Sequence, residues 1–394
     1  MVGVMVGSTF LHTANLAARQ NDAEGMPSFA GPTPGTMRNI TIQTVDISGE
    51  AGRHVIVARG TPDIYQGHTD TLLMPDGKTL FAAWSQGHAV NIGPLKRSND
   101  GGRTWSDLIS VPDNWFKTSN TPTIHRLLDP DGKQRLCVFG GGLRSPGVAM
   151  QQSVSEDGGR TWSAMRPNGL TGEVPPKSVM PFEDGKKWII WSDMPGLVWQ
   201  SETADGGLTW KPERPILKVP GRWSQPSVIR SPDGRQLLML MRENTRKYNS
   251  LYSVSNDNAR TWSEPKELHA ALTGDRHVLR YAPDGRLVIA MRAQAKSRLT
   301  YGHYVAWVGR YADIIGRREG QYRIKLFHNH LRTPQMPPGK GNYDCGYSGL
   351  EVVEDGSIIA ITYVKYQPGP EKNSVVSTRF RLEQTDAGLD LKGH

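Results

Sequence analysis

The chain has 394 residues, a formal net charge of +9 at pH 7 and two cysteines, Cys137 and Cys345. Its lysines and arginines are scattered rather than grouped into basic runs interleaved with aromatic residues, which argues against a nucleic-acid-binding protein. No stretch of 18 apolar residues occurs, so the sequence predicts no membrane-spanning helix. Two cysteines do not by themselves reveal whether a disulfide bond forms.

The N-terminal region differs in composition from the rest of the chain. Residues 1–19 contain an apolar stretch that ends in Leu-Ala-Ala and resemble a secretory signal without a basic first segment. We therefore predict a secreted or periplasmic protein. We expect residues 1–39 to form a signal-like, disordered lead-in, residues 40–384 to form a single domain, and residues 385–394 to form a tail.

Six Asp-Gly pairs lie between apolar, β-rich segments. Such pairs are the strongest short-range signal of a β-hairpin. Their aspartates are Asp76, Asp131, Asp184, Asp233, Asp284 and Asp355. They recur at roughly 50-residue intervals, which predicts six repeated units. The last interval is longer, so we expect an insertion in the fifth unit.

A second pattern, Ser/Thr-x-Asp-x-Gly-x-Thr-Trp, occurs four times. The copies begin at Ser98, Ser155, Thr203 and Ser255, and the fourth has Ala259 in place of glycine. Each copy predicts a tight turn in which the carboxylate accepts backbone N–H groups, the glycine adopts a positive φ and the tryptophan packs beside the strands. These aspartates are therefore expected to be structural.

These four copies resemble the Asp-box of the sialidase-like β-propellers, and the similarity extends from about residue 53 to 382. It implies an all-β fold, a six-bladed β-propeller with four-stranded antiparallel blades. The last blade has one long strand candidate after its hairpin, at 373–382. We expect an N-terminal strand, at 40–47 or 54–60, to complete that blade and close the ring, which would remove exposed sheet edges.

The two turn series predict which residues surround the channel mouth. If Asp-Gly turns join the first two strands of each blade and Asp-boxes the last two, the mouth lies at the opposite face. The candidates there are polar, cationic and aromatic, as is typical of a pocket for an acidic sugar. They include Gln66, His68, Asp70, Trp84, His88, Asp193, Gln225, Arg242, Glu243, Arg276, His277, Arg292 and Asp344.

Tyr347 occupies a segment, GYSGLEV, that resembles the one carrying the sialidase nucleophile. A neutral phenol can attack an anomeric carbon beside a carboxylate without repulsion between two anions, provided that a base takes its proton. The resemblance also implies that Arg242 and Arg292 bind the substrate carboxylate, because guanidinium groups offer permanently charged donor forks. Arg298 and Arg276 are alternatives to Arg292.

Three positions depart from the sialidase pattern. Gln66 stands where an arginine is expected, and Gln225 stands where a glutamate would take the tyrosine proton. The loop at 85–98 contains no acid in place of the acid/base aspartate. Proton transfer therefore falls to His68, Asp70 and His88. Two alternatives stay open, namely that Asp344 or Glu243 replaces the missing base, or that Asp70 and Asp193 act as a carboxylate pair.

We predict an exo-acting glycoside hydrolase that cleaves a terminal acidic sugar: sialic acid or a relative, a uronate or a sulfated sugar. Gln66, Trp84, Asp193, Gln225, Arg242, Arg276, His277 and Arg292 would contact this sugar. The alternatives are a non-hydrolytic glycan-binding propeller and a polysaccharide lyase using a Tyr/His pair. We predict no metal ion and no cofactor, and we interpret His328 and His330 as surface or structural residues.

Overall fold

The computed structural model describes residues 25–35, 38–141, 149–172, 174–182, 185–296, 299–332 and 343–390. Within them, strands form six sheets, and the first strands of five of these sheets line one central cavity. The predicted six-bladed β-propeller is thus confirmed. The signal-like segment, Asp184 and Arg298 lie outside the described residues.

The blades follow one another along the chain, but the first two strands precede blade 1 and belong to later blades. These two are β1 (Thr44–Asp46) and β2 (His54–Ala58). Blade 1 contains β3 (Gln66–Leu73), β4 (Leu80–Gln86) and β5 (Leu95–Ser98). Blade 2 contains β6 (Thr123–Leu128), β7 (Gln134–Gly141), β8 (Met150–Ser155) and β9 (Arg166–Pro167). Blade 3 contains β10 (Val179–Phe182), β11 (Lys187–Met194), β12 (Leu197–Thr203) and β13 (Arg214–Lys218).

Blades 4 to 6 continue this order. Blade 4 contains β14 (Ser227–Arg230), β15 (Leu237–Met241), β16 (Leu251–Ser255) and β17 (Lys266–Glu267). Blade 5 contains β18 (Gly274–Tyr281), β19 (Leu287–Ala293), β20 (Tyr304–Gly309) and β21 (Tyr322–Phe327). Blade 6 contains β22 (Ser348–Val352), β23 (Ile358–Val364) and β24 (Ser374–Phe380). The apolar core lies between neighbouring blades, where Leu240 of blade 4 and Ile289 of blade 5 share one buried cluster.

Both candidate N-terminal strands complete a sheet. β2 pairs antiparallel with β24 and closes the ring, as expected. β1 instead pairs parallel with β21 and gives blade 5 a fifth strand. Blade 1 has three assigned strands, but Ser106 and Ile109 donate backbone hydrogen bonds to β5 at the position of a fourth strand. The blades are therefore four-stranded and antiparallel with two exceptions: blade 5 has an additional parallel strand, and the fourth strand of blade 1 is irregular.

Two short α-helices lie outside the sheets in the described part of the chain. α1 (Tyr311–Ile315) is inserted between β20 and β21, in the blade where an insertion was expected. α2 (Leu382–Asp390) follows the last strand and packs on blade 5, where Asp386 accepts hydrogen bonds from Tyr322 Oη and Arg286. The tail predicted to begin at 385 is therefore largely helical. Neither helix is long and apolar enough to cross a membrane.

The aspartates of the four Ser/Thr-x-Asp repeats hold their own turns together. Asp100 accepts the backbone N–H groups of Arg103 and Thr104, both at 2.9 Å, and the Ser98 hydroxyl at 2.8 Å. Burial acts against ionisation, but the hydrogen bonds from Thr104 and Ser98 lower the pKa of Asp100 to about 2. Ala259 keeps the positive φ (67°) of the glycine it replaces. These carboxylates act within their turns, as predicted.

Residues 25–35 and 38–47, the N-terminal strap, run across three blades before β2 begins. Phe29 bonds to the Lys218 carbonyl of blade 3 and packs on Tyr248 of blade 4, with ring centroids 4.9 Å apart. Arg38 forms an ion pair with Glu267 at 2.7 Å. The disordered lead-in predicted for residues 1–39 is thus, from residue 25 onward, attached to the propeller wherever it is described.

Candidate functional site

The turns lie where the spacing placed them. Described Asp-Gly turns connect first and second strands, and the Ser/Thr-x-Asp repeats follow third strands. At the opposite face, the segment before β22 brings Tyr347 to the channel. Tyr347 is half-buried; its ring contacts His68 from blade 1, and its hydroxyl accepts a hydrogen bond from Gln225 of blade 4. The residues predicted from three distant parts of the sequence therefore do converge.

Tyr347 has nitrogen-bearing side chains around it. Gln225 Nε2 donates a hydrogen bond to its hydroxyl oxygen, and the His68 ring stands perpendicular to its ring at 4.6 Å. The guanidinium carbons of Arg276 and Arg292 lie 5.4 and 5.9 Å from the ring centroid. No carboxylate among the described residues hydrogen-bonds to Tyr347. Cationic and neutral donor groups therefore surround the phenol, and no carboxylate base contacts it in the described part of the chain.

Gln225 is held in place from below by a buried aspartate. It has a positive φ of 48°, and its backbone N–H donates to Asp193 at 2.9 Å. The Ser224 N–H and hydroxyl also donate to Asp193. Burial raises the pKa of Asp193 in spite of these hydrogen bonds. Asp193 thus positions the segment that contacts Tyr347 and is occupied by backbone rather than facing a ligand.

Asp344 and His88 form a dyad beside this tyrosine. Tyr65 and Tyr363 donate their hydroxyls to Asp344 at 2.5 and 2.7 Å, and His88 Nδ1 lies 3.2 Å from the same carboxylate. Burial alone would raise the pKa of Asp344, but hydrogen bonds from His88, Tyr65 and Tyr363 hold it well below its usual range. The His88 side chain is 57% exposed. An ionised Asp344 therefore orients an accessible imidazole.

The His68 ring lies between His88 and Tyr347, and its hydrogen bonds leave it as a hydrogen-bond donor toward the site. Its Nδ1 accepts the Ala89 backbone N–H at 3.1 Å, so the neutral ring carries its proton on Nε2. Burial lowers the pKa of His68 to about 3, and the neighbouring His88 adds to the effect. At neutral pH, His68 is consequently a neutral hydrogen-bond donor rather than a base.

His68, His88 and Asp344 are also the set of described residues that comes closest to a metal centre, with ligand atoms within 4.8 Å of one another. The donor chemistry fits a metal poorly. Ligation through His68 Nε2 would require the proton to move to Nδ1, which faces the Ala89 N–H. Asp344 already accepts two tyrosine hydroxyls. The arrangement suits a hydrogen-bonded acid/base group better than a metal site.

Three arginines converge on a carboxylate of the chain itself. Arg246 binds Asp275 through two bonds of 2.7 and 2.9 Å, Arg292 Nη2 lies 2.8 Å from Asp275, and Arg242 Nε lies 3.0 Å from it. The Asp275 side chain is 1% exposed, and the arginine charges outweigh burial and hold its pKa far below the usual range. Arg242 and Arg292, predicted to bind substrate, therefore have an internal anion as their first partner.

Arg276 follows Asp275 and has the opposite character. A β-bulge between Asp275 and Val278 and a positive φ of 53° at Arg276 turn successive side chains into the site. Arg276 is 2% exposed, and neither of its Nη atoms has a hydrogen-bond partner in the described part of the chain. Burial lowers its pKa, while the charges of Tyr347, Asp70 and Asp193 oppose that effect. It is a buried cation without a bonded anion.

Other predicted site residues have internal partners. Asp70 contacts Lys177 and accepts the Ile124 N–H at 3.1 Å, and all three residues line a channel cavity of about 230 Å³. Asp70 is thus engaged by Lys177 rather than by the His88 dyad. Glu243 accepts backbone N–H groups of its own loop.

Three further candidates are packed into the blades. Trp84 Nε1 donates to Gln66 Oε1 at 2.7 Å, and Gln66 Nε2 donates to the Arg59 carbonyl at 3.3 Å. His277 Nε2 bonds to the Leu272 carbonyl at 2.9 Å and is buried. Trp84, Gln66 and His277 are therefore bonded to groups of the protein itself. Cys137 and Cys345 are free thiols.

The fold and the repeats can now be set beside known proteins. Residues 48–221 match the family described as "BNR repeat-like domain". The part of the chain that resembles this family thus spans blades 1 to 3 of the six-bladed propeller. Sequence comparison with curated proteins finds no match.

Among solved structures, the propeller resembles a protein of unknown function from Dyadobacter fermentans, with 14% identity, a TM-score of 0.59 and coverage of 88% of this chain and 99% of that one. It also resembles an alpha-L-arabinanase from Penicillium chrysogenum complexed with arabinobiose, with 18% identity, a TM-score of 0.58 and coverage of 84% of this chain and 98% of that one. An intramolecular trans-sialidase from Ruminococcus gnavus is similar as well, with 13% identity, a TM-score of 0.55 and coverage of 84% of this chain and 97% of that one. At these identities the likeness concerns the fold.

Proposed function

We propose that this propeller is a glycoside hydrolase that removes a terminal acidic sugar from a glycan. The observation that carries the proposal is that Arg276, a buried guanidinium that has no bonded anion, lies against the ring of Tyr347 in the channel. A substrate carboxylate or sulfate would supply that anion and would hold the sugar against the phenol. The resemblance in fold to sialidases and an arabinanase supports a glycosidase.

In this mechanism the Tyr347 oxygen attacks the anomeric carbon while the glycosidic C–O bond breaks. His88, oriented by Asp344, gives a proton to the departing oxygen and then takes one from the water that releases the sugar. Gln225 cannot take the phenol proton, which passes to water in the mouth. Its N–H instead stabilises the negative charge that develops on the Tyr347 oxygen, and Arg276 and Arg292 add to this effect.

A lyase is the second candidate, because no described carboxylate hydrogen-bonds to Tyr347. A lyase needs a group to neutralise a uronate carboxylate, a base for the proton beside it and an acid for the departing oxygen. Arg276, Tyr347 and His88 have the chemical character for these three tasks. An unsaturated product that absorbs in the ultraviolet would distinguish this reaction from hydrolysis.

The first test is Tyr347→Phe. With fluorogenic α-sialosides and β-glucuronides, we expect wild-type release of the fluorophore to fall by about 10³-fold or more in the variant, since removal of a nucleophile disables the chemical step. Tyr281→Phe is the matched control, because its hydroxyl bonds to the Arg230 carbonyl at 2.9 Å. Wild-type protein that binds acidic sugars but releases nothing would instead indicate a glycan-binding propeller.

His88→Gln tests the acid. We expect release of a sugar from an unactivated alcohol to slow by about 10²- to 10⁴-fold, because that leaving group needs a proton. An aryl glycoside with a good leaving group should be much less affected. Asp344→Asn should give the same pattern in weaker form, and His330→Gln, at an exposed histidine, should have no effect. Equal loss on both substrates would argue against an acid role for His88.

A further inference from the structure

A second cavity, of about 250 Å³, lies at the mouth face beside the three arginines that bind Asp275. Its walls come from the loop at 243–249, from Ala270 and Thr273 before β18, from residues 294–296 after β19 and from Arg38 of the strap. Arg246 belongs both to this cavity and to the arginine group around Asp275. We call this cavity the basic pocket.

The basic pocket is strongly cationic. Arg38, Arg246, Lys247 and Lys296 line it, against a single carboxylate, that of Glu243. Both oxygens of Glu243 are already occupied, by Thr245 and by the N–H groups of Lys247 and Tyr248. Lys247 and Lys296 are exposed and have no carboxylate partner within the described residues. Arg38 and Arg246 are paired with Glu267 and Asp275, so the positive charge without a carboxylate partner in this pocket is that of Lys247 and Lys296.

This pocket is also preformed. Asp275 holds the Arg246 guanidinium through two bonds, and the Arg246 carbonyl accepts a bond from Lys296 Nζ at 3.2 Å. Glu243 fixes the backbone of Lys247, while Phe29 of the strap packs on Tyr248 at the end of the same loop. A ligand would therefore meet charges that are already placed, which reduces the entropy lost on binding.

The basic pocket and the central site are connected through neighbouring residues. Asp275 joins Arg246 of the pocket to Arg292, whose guanidinium also lies over the Tyr347 ring. Arg276, the cation without a bonded anion, is the next residue in the chain. Asp275 thus links the two cationic sites, and a second anionic group, on a sugar adjoining the one at Arg276, would have the basic pocket as its partner.

We propose that the basic pocket binds this second anionic group, so that the preferred ligand is an oligosaccharide with consecutive acidic sugars rather than a single acidic sugar on a neutral glycan. Two separate cationic sites match two charges along one chain, and each should contribute to affinity. The first charge rests on the proposed function, whereas the second rests on the pocket alone.

The test compares monomers with dimers in the Tyr347→Phe background, where no turnover disturbs binding. The probes are galacturonic and digalacturonic acid, and N-acetylneuraminic acid and its α2,8-linked dimer, measured by calorimetry. We expect at least one dimer to bind about tenfold more tightly than its monomer. Lys247→Gln/Lys296→Gln should reduce this advantage to about twofold and leave the monomer unchanged. Lys78→Gln/Lys266→Gln removes the same charge at exposed lysines elsewhere and should change nothing.

Equal affinity for monomer and dimer in the parent, or a dimer advantage that survives the Lys247→Gln/Lys296→Gln substitutions, would overturn the inference and leave the proposed function standing. Absence of binding to every acidic probe would overturn both. Rising salt should weaken the dimer more than the monomer, since two ion contacts are screened instead of one. A parallel salt dependence would count against the second contact.

Discussion

Replacing Asp275 by asparagine is expected to lower the free energy of unfolding by about 3–5 kcal/mol, because removing one partner leaves the others as uncompensated buried charges. Arg242, Arg246 and Arg292 would then repel one another around a neutral amide. Denaturant unfolding would measure the loss. As a control, Glu202→Gln breaks the more exposed ion pair with Lys211 and should cost less than about 1 kcal/mol.

The Asp275 carboxylate should also determine how the free energy of unfolding changes at acidic pH. The pKa of Asp275 in the folded protein lies far below its unfolded value of about 3.9. Its contribution is therefore complete above about pH 4 and is lost as the pH falls toward the folded pKa. Between pH 5 and pH 2, the free energy of unfolding should fall more steeply with decreasing pH in wild type than in Asp275→Asn. Parallel curves would show that other carboxylates govern acid unfolding.

Arg276→Met is expected to separate function from stability. Binding of an acidic sugar should weaken by about 10- to 100-fold, because a hydrogen bond to a charged group contributes about 1.5–3 kcal/mol. The free energy of unfolding should stay the same or rise by about 1–4 kcal/mol, since a buried charge without a bonded partner gives way to an apolar side chain of similar length. Calorimetry and denaturant unfolding on the same variant provide both numbers.

Arg280→Met is the matched control for this substitution. Arg280 is paired with Glu351 at 3.2 Å and is partly exposed, so its loss should leave sugar binding intact. A neutral methyl ester of the same sugar should bind wild type and Arg276→Met alike. If Arg276→Met destabilises the protein and leaves binding unchanged, the guanidinium is a structural element and the site for the acidic group must lie elsewhere.

The repeats explain why so much of the fold could be predicted. An Asp-Gly pair and a Ser/Thr-x-Asp turn are local devices, whose hydrogen bonds lie within a few residues, so their spacing reports blade number and strand order directly. The mouth residues follow from that order, and Tyr347, His68 and Gln225 do meet. Ring closure by one of the two N-terminal segments was also predictable, because the last blade lacked a strand, but the sequence left open which of them would pair with β24.

The charge arrangement was harder to predict, because it depends on contacts between blades. Nothing in the residue types indicates that Asp275 occupies the arginines expected to bind substrate, or that Arg276 beside it has no bonded anion. Arg246 lies on a loop with a positive φ of 62° and belongs to no motif. The resemblance to sialidases placed Arg242 and Arg292 near the centre but could not reveal their partner.

Ring closure by an N-terminal strand has a consequence for biosynthesis. β2 leaves the ribosome before any blade is complete, yet its partner β24 emerges after all the others, and contacts such as Ser377 with Val55 span 322 residues. Until then the nascent chain carries an unpaired strand and an open sheet edge, both of which invite association with other chains. Such long-range pairing also slows folding. Production of this protein should therefore depend on chaperones that shield the incomplete ring, more than its local turns suggest.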